Sequence, residues 1–199
     1  MIIRPYRPAD RDRLYEICLL TGADGEDASE LYAVPTLLGE VYVGPYLEFA
    51  PDLAWVAELD GEPAGYVLGA ADTWSLEMHC EAQWWPELRK RYPRGSQSSP
   101  ADSAIVDLIH RPPTAEPGVL ASYPAHLHID LLPSLQGRGA GRVLIDTLLT
   151  ELAARGVPGV HLGVSLANVR AVGFYQHLGF RTIAVGPDSF TLGKRLDDH

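Results

Sequence analysis

The chain has 199 residues, 46% of them hydrophobic, and its 26 acidic against 16 basic side chains give a formal charge of −10. This size and apolar content suit one domain with a single core and, at most, a large insertion. The carboxylate excess argues against broad contact with nucleic-acid phosphates, and no run approaches the roughly 20 apolar residues of a membrane span.

The start Met1-Ile-Ile-Arg4 has no signal-peptide run, and Cys18 and Cys80 lack Cys-x-x-Cys partners, so free thiols and a cytoplasmic location are expected. A strand is expected at Ile2 to Pro5. A helix follows over Ala9 to Leu20, started near Asp10, with Leu14, Ile17, Cys18 and Leu20 on its buried face. The small, acidic segment Thr21 to Glu30 reads as a loop, and Leu37 to Phe49 as a helical stretch interrupted at Gly44-Pro45. Leu53 to Leu59 and Pro63 to Ala70, separated by Asp60-Gly61, form a hairpin pattern.

Residues 72–124 do not read as strand. Leu76 to Tyr92 is helix-like, with Trp84 and Trp85 stopped against Pro86; Arg94 to Pro100 reads as a polar loop, and Ile105 to Ile109 as a short helical turn. This is an aromatic-rich insertion, because Trp74, Trp84 and Trp85 require packing partners. Strand character returns at Ala125 to Leu132. A helix from about Gly139 to Arg155 follows, with Leu144, Leu148 and Leu152 every fourth residue and Gly156 and Pro158 as its stop. A strand alternating at Val160, Leu162 and Val164 precedes a helix at Asn168 to Leu178, and strands are expected at Phe180 to Val185 and Ser189 to Leu196. The order is mixed α/β, without repeats.

Gln136-Gly137-Arg138-Gly139-Ala140-Gly141-Arg142 lies between an apolar strand and a strong helix. Glycines there allow close backbone approach, and the first free N–H groups of a helix attract an anion, so the segment reads as a pyrophosphate cradle or as a glycine turn that merely caps the helix. Arg142 stands where a G-x-G-x-x-G dinucleotide fingerprint needs glycine, and no phosphate-loop motif exists.

Gln136 to Gly141 resembles the Q/R-x-x-G-x-G/A signature of GNAT acetyltransferases, and Asn168-Val-Arg-Ala171-Val-Gly-Phe174-Tyr175-Gln-His-Leu-Gly179-Phe180 is similar to that superfamily's second motif, N-x-x-A-x-x-F-Y-x-x-x-G-F. The resemblance implies an α/β GNAT fold: a mixed, mostly antiparallel central sheet, splayed at the cofactor strand and flanked by helices. It implies acetyl-CoA as co-substrate, an amine as acceptor, and acetyl transfer by direct attack in a ternary complex. Gln136, Gly137, Arg138, Gly139, Ala140, Gly141 and Arg142 would hold the pyrophosphate. Ile129, Asp130 and Leu131 would receive the pantetheine arm, with an N–H near Leu131 polarising the thioester. Asn168 would touch pantetheine, and Tyr175 would protonate the departing thiolate. From Asp72-Thr-Trp74 to Arg91-Tyr-Pro93 the chain resembles a branch comprising bacterial homologues of the acetyltransferase-like C-terminal domain of eukaryotic O-GlcNAc hydrolases. That branch implies an alternative, an acetyl-CoA-binding pseudoenzyme or interaction module without transfer activity.

Alternation along His126-Leu-His128-Ile-Asp130-Leu131 puts the three polar side chains on one strand face and the apolar ones on the other. An amine acceptor arrives largely as ammonium and needs a base. Asp130 and His128 are the first candidates, with Glu58 and His79 behind them. A protein lysine, peptide amino terminus, amino sugar or polyamine all fit as acceptor. His161, His177 and His199 show no metal-ligand spacing, so no metal is expected, and no G-x-S-x-G elbow supports a hydrolase.

Overall fold

A computed structural model of the chain describes residues 1–197, and His199 lies outside the described residues. Seven strands form one sheet: β1 (Ile2–Pro5), β2 (Ala54–Leu59), β3 (Glu62–Ala70), β4 (Ala125–Leu131), β5 (Gly159–Ser165), β6 (Arg181–Val185) and β7 (Ser189–Arg195). Their spatial order is β1-β2-β3-β4-β5-β7-β6. All neighbours run antiparallel except β4 and β5. The β2–β3 hairpin turns at Asp60-Gly61, both with positive φ, as the sequence pattern requires of a tight turn whose twist matches its strands.

Helices cover both faces. On one side lie α1 (Arg11–Leu20), α2 (Leu37–Tyr42) and α3 (Gly44–Phe49). They pack with Tyr66, Leu68 and Ala70 of β3 in one apolar cluster. The break expected at Gly44-Pro45 lies one residue earlier, at Val43, and Gly44-Pro45 open α3, where a proline in the first turn loses no N–H partner. On the other side α8 (Ala140–Ala154) buries Leu144, Leu148 and Leu152 completely against Val67 and Leu127. Each of these leucines contributes about 2–3 kcal/mol of burial. Helix α9 (Val169–His177) adds Tyr175 to the same cluster.

The segment between β3 and β4 is helical: α4 (Thr73–His79), a π-helical stretch (Cys80–Trp84), α5 (Trp85–Arg91), α6 (Pro100–His110) and α7 (Pro117–Leu120). Pro86 does not stop the helix near Trp84 and Trp85. It sits in the first turn of α5, where no N–H partner is lost, and the π-stretch absorbs the mismatch. The short turn expected at Ile105 to Ile109 is a full three-turn helix, because Ser99 caps it through the Asp102 amide and Pro100 opens it. The packing expected of the tryptophans holds for Trp85, 8% exposed, and for Trp84, whose Nε1 donates to the Glu40 carbonyl at 2.8 Å. It fails for Trp74, which is 61% exposed on α4.

Candidate active site

Strands β4 and β5 pair only at Ala125↔Val160 and His126↔His161. Beyond that point β4 follows β3 as far as Leu131, while β5 follows β7 to Ser165. The sheet therefore opens in a V, and a cleft of about 990 Å³ occupies it. The register fixes which amides face the opening. The Leu132 amide donates to the Ala64 carbonyl at 2.9 Å, and the pairing Asp130↔Tyr66 and His128↔Leu68 continues that register. Alternation then turns the N–H groups of Ile129 and Leu131 away from β3 and into the V.

The glycine segment borders the same cleft. Gly137 and Gly139 have φ of 73° and 80°, left-handed values that favour glycine, and a β-carbon at either would meet nothing within 4 Å. Gly139 is the N-cap of α8. The amides of Gly137 and of Gly139 through Arg142 donate to no acceptor among the described residues. Four successive unpaired donors at a helix N-terminus form a binding surface for an anionic group. Gly141 serves packing instead: a β-carbon there would lie 3.0 Å from the Phe174 ring and 3.2 Å from Leu131, so its absence lets α8, α9 and β4 converge. The Gln136 side chain pins the loop, donating from Nε2 to the Leu131 carbonyl at 3.0 Å. Arg142 and Arg170 line the cleft, whereas Arg138 is exposed and does not border it.

The polar face expected on β4 is present, and its three members differ. His126 turns away from the cleft into a chain of hydrogen bonds. Thr73 Oγ1 donates to the Pro124 carbonyl at 2.7 Å and lies 2.7 Å from His126 Nδ1. The threonine has one proton, so Nδ1 is the donor to Thr73, and Nε2 accepts from the Tyr46 hydroxyl. Burial pushes His126 well below the usual imidazole range and so keeps it neutral. His128 faces the cleft, its ring 5.9 Å from Tyr42 and 5.3 Å from Tyr46. Burial, aided by His161, lowers it to about 4.

Asp130, the third member, also lines the cleft. Burial raises its carboxyl to about 6, and the hydrogen bond from the Tyr66 hydroxyl offsets part of the rise. It is therefore mostly ionised at neutral pH and can take up a proton. Tyr175 sits across the V, packed on Phe174 and Phe180. Burial, and next the nearby Asp130 charge, hold its phenol well above the usual range, so it keeps its proton. Its hydroxyl has no hydrogen-bond partner among the described residues.

Asn168 borders the cleft, but both its amide atoms already bind protein. Oδ1 accepts from Ala171 N at 3.0 Å, capping α9, and Nδ2 donates to the Asp24 carbonyl at 3.0 Å. The Thr21–Glu26 turn thereby bridges to α9 across the cleft. Glu58 is paired with Arg4 at the β1–β2 edge, and His79 bonds the Ser75 carbonyl on α4; neither reaches the cleft. Sequence patterns did not single out Tyr66, Thr21, Tyr32 or Tyr42. Tyr66 is legible as an inward residue of β3, but its place opposite Asp130 depends on register. Among the described residues no group of three His, Cys, Asp or Glu side chains could hold a metal, and no helix is long and apolar enough to cross a membrane.

Residues 26–180 match the Acetyltransferase (GNAT) family. The chain is 28% identical over 185 residues to Protein O-GlcNAcase of Rattus norvegicus, which covers 92% of this chain and 20% of that protein. It thus spans about a fifth of the length of that relative. The crystal structure of SsHAT superposes with a TM-score of 0.92 at 43% identity, covering 99% of this chain and 98% of the other. The structure of yncA from Salmonella typhimurium, which contains its cofactor acetyl-CoA, shares the fold at a TM-score of 0.58 and 18% identity, covering 100% and 95%.

Proposed function

Because the chain belongs to the GNAT acetyltransferase family, we propose that it transfers an acetyl group from acetyl-CoA to an amine, with both reactants held in the cleft between β4 and β5. The observation that carries this reading is the run of unpaired amides from Gly139 to Arg142, opening onto the same cleft as Asp130 and Tyr175. These donors, with Arg142, suit a diphosphate. The amides of Ile129 and Leu131, facing the V, suit a linear pantetheine arm. When bound, acetyl-CoA supplies an acetyl group activated as a thioester.

The chain's own groups supply the rest. Asp130 takes a proton from the incoming ammonium and leaves the nitrogen lone pair free to attack. The Leu131 amide donates to the thioester oxygen as negative charge develops there. The C–N bond forms and the C–S bond breaks. Tyr175 gives its proton to the departing thiolate sulfur and regains one from the acylated nitrogen, so one proton leaves on Asp130. Holding both reactants in one cleft removes much of the entropic barrier. His128, neutral at physiological pH, donates or accepts a hydrogen bond without contributing charge.

Calorimetry with acetyl-CoA, followed by a thiol-release assay over a panel of amines, tests the reading. Saturable binding and amine-dependent thiol release are expected. Binding without transfer to any amine would move the chain to the non-catalytic alternative, and absence of binding would remove both.

A further inference from the structure

The helical segment 72–124 touches a loop that lines the cleft. Tyr32 lies on that loop and lines the cleft together with Tyr42, Cys18 and Ile105 of α6. Burial raises its phenol above the ordinary range, with Cys18 and Asp102 adding to the rise. Residues 31–34 are tied at their ends by the bonds Leu31 N to the Ala28 carbonyl and Leu37 N to the Val34 carbonyl, and between these by the first turn of α6. Ser99 Oγ donates to the Leu31 carbonyl at 2.7 Å. Asp102 Oδ2 accepts from Ala33 N at 3.2 Å, and Oδ1 lies at a longer 3.5 Å from Val34 N. Asp102 is 1% exposed and has no cationic side-chain partner among the described residues. Its carboxylate is placed at the positive end of a helix and spends its acceptors on loop amides. A surface helix cap does not need to be buried in this way.

We propose that Asp102 is a positioning residue for the acceptor: from the 72–124 segment it locks the Tyr32 loop in place, and Tyr32 with Ile105 forms the wall that sets which amines reach Asp130. The inference rests on the transferase reading above. It gives the segment a task in acceptor choice and none in holding acetyl-CoA, because the glycine turn and the V-facing amides of β4 lie outside it.

The test uses the full chain with Asp102→Asn, Tyr32→Ala, Tyr32→Phe and Ile105→Ala. The probes are n-propylamine, benzylamine, Nα-acetyl-lysinamide, glucosamine and spermidine. KM is measured for acetyl-CoA and for the best of these amines, and binding of that amine is measured by calorimetry with coenzyme A present. Asp102→Asn and Tyr32→Ala should raise the amine KM and its dissociation constant about tenfold, the scale of one lost well-placed contact. The KM for acetyl-CoA should stay within about twofold. Tyr32→Phe, which keeps the ring of the wall, should raise the amine KM less than Tyr32→Ala does. Ile105→Ala should shift preference toward benzylamine. Tyr32→Ala lies on a surface loop, so it carries the test even where Asp102→Asn fails to fold. Equal changes in both KM values, or no change in the amine terms for Tyr32→Ala, would overturn the inference and leave the transferase reading intact. No transfer by the wild type to any of the five amines, with acetyl-CoA bound, would overturn both.

Discussion

Replacing Asp130 by asparagine should stabilise the fold while removing activity. Burial moves the carboxyl from the ordinary 3.8 to about 6, despite the Tyr66 hydroxyl that favours its charged form. The ionised side chain is therefore penalised in the folded state by about 3 kcal/mol at most. Water in the cleft reduces this to about 1–3 kcal/mol. Asparagine keeps an oxygen for the Tyr66 hydroxyl and carries no charge. The sign follows from the raised value. Below about pH 4 the aspartate is protonated in both folded and unfolded chains, and the penalty vanishes. Between about pH 4 and 6 it grows, because the unfolded chain ionises first, and above pH 6 it is constant. Urea unfolding of both proteins at about pH 3 and about pH 7.5 measures it. The variant should match wild type at the lower pH and exceed it by about 1–3 kcal/mol at the higher, with transfer lost. A variant less stable at pH 7.5, or a difference independent of pH, would refute the burial argument.

Further outcomes follow from the same geometry. Wild-type kcat/KM should rise with pH through about 6 as Asp130 ionises; an inflection near 4 in its place would assign the base to His128. Tyr175→Phe should lower kcat about 10²-fold with acetyl-CoA affinity nearly unchanged, as measured by thiol release and calorimetry. Unchanged kcat would remove Tyr175 from the mechanism. Gly139→Ala must adopt φ near 80°, which costs about 1–2 kcal/mol; it should weaken acetyl-CoA binding about tenfold, and undiminished affinity would contradict the role given to this turn. Asn168→Ala removes the α9 cap and the tie to Asp24. It should destabilise the protein by about 1 kcal/mol in thermal or urea unfolding.

Local signals in the chain carried much of the fold. The Asp60-Gly61 turn, the fourfold leucine spacing of α8 and the alternation of β4 each act over a few residues, and each element forms where its pattern stands. The glycine turn was legible for the same reason, since left-handed φ values and a helix start are local requirements. Elements governed by distant contacts were less visible. The length of α6 depends on a Ser99 cap that also bonds Leu31, and Trp74 stays exposed because its neighbours on α4, not its own apolarity, face the core. In the site, the alternation put Asp130 and His128 on the correct face. The difference between them needs the β3–β4 register that sets Tyr66 against Asp130 and the packing that places Tyr42 and Tyr46 around His128. Asn168 shows the same limit, because its partner Asp24 is remote in sequence.

The grip of the Gly139 to Arg142 amides on a diphosphate is tested most directly by comparing calorimetric titrations of acetyl-CoA and acetyl-pantetheine, which shares the thioester and arm but lacks the diphosphate. Acetyl-CoA should bind one molecule per chain, and acetyl-pantetheine at least about 100-fold more weakly, the scale of two lost charge-assisted hydrogen bonds. Equal affinities, or no association with acetyl-CoA, would contradict the assignment of this cleft.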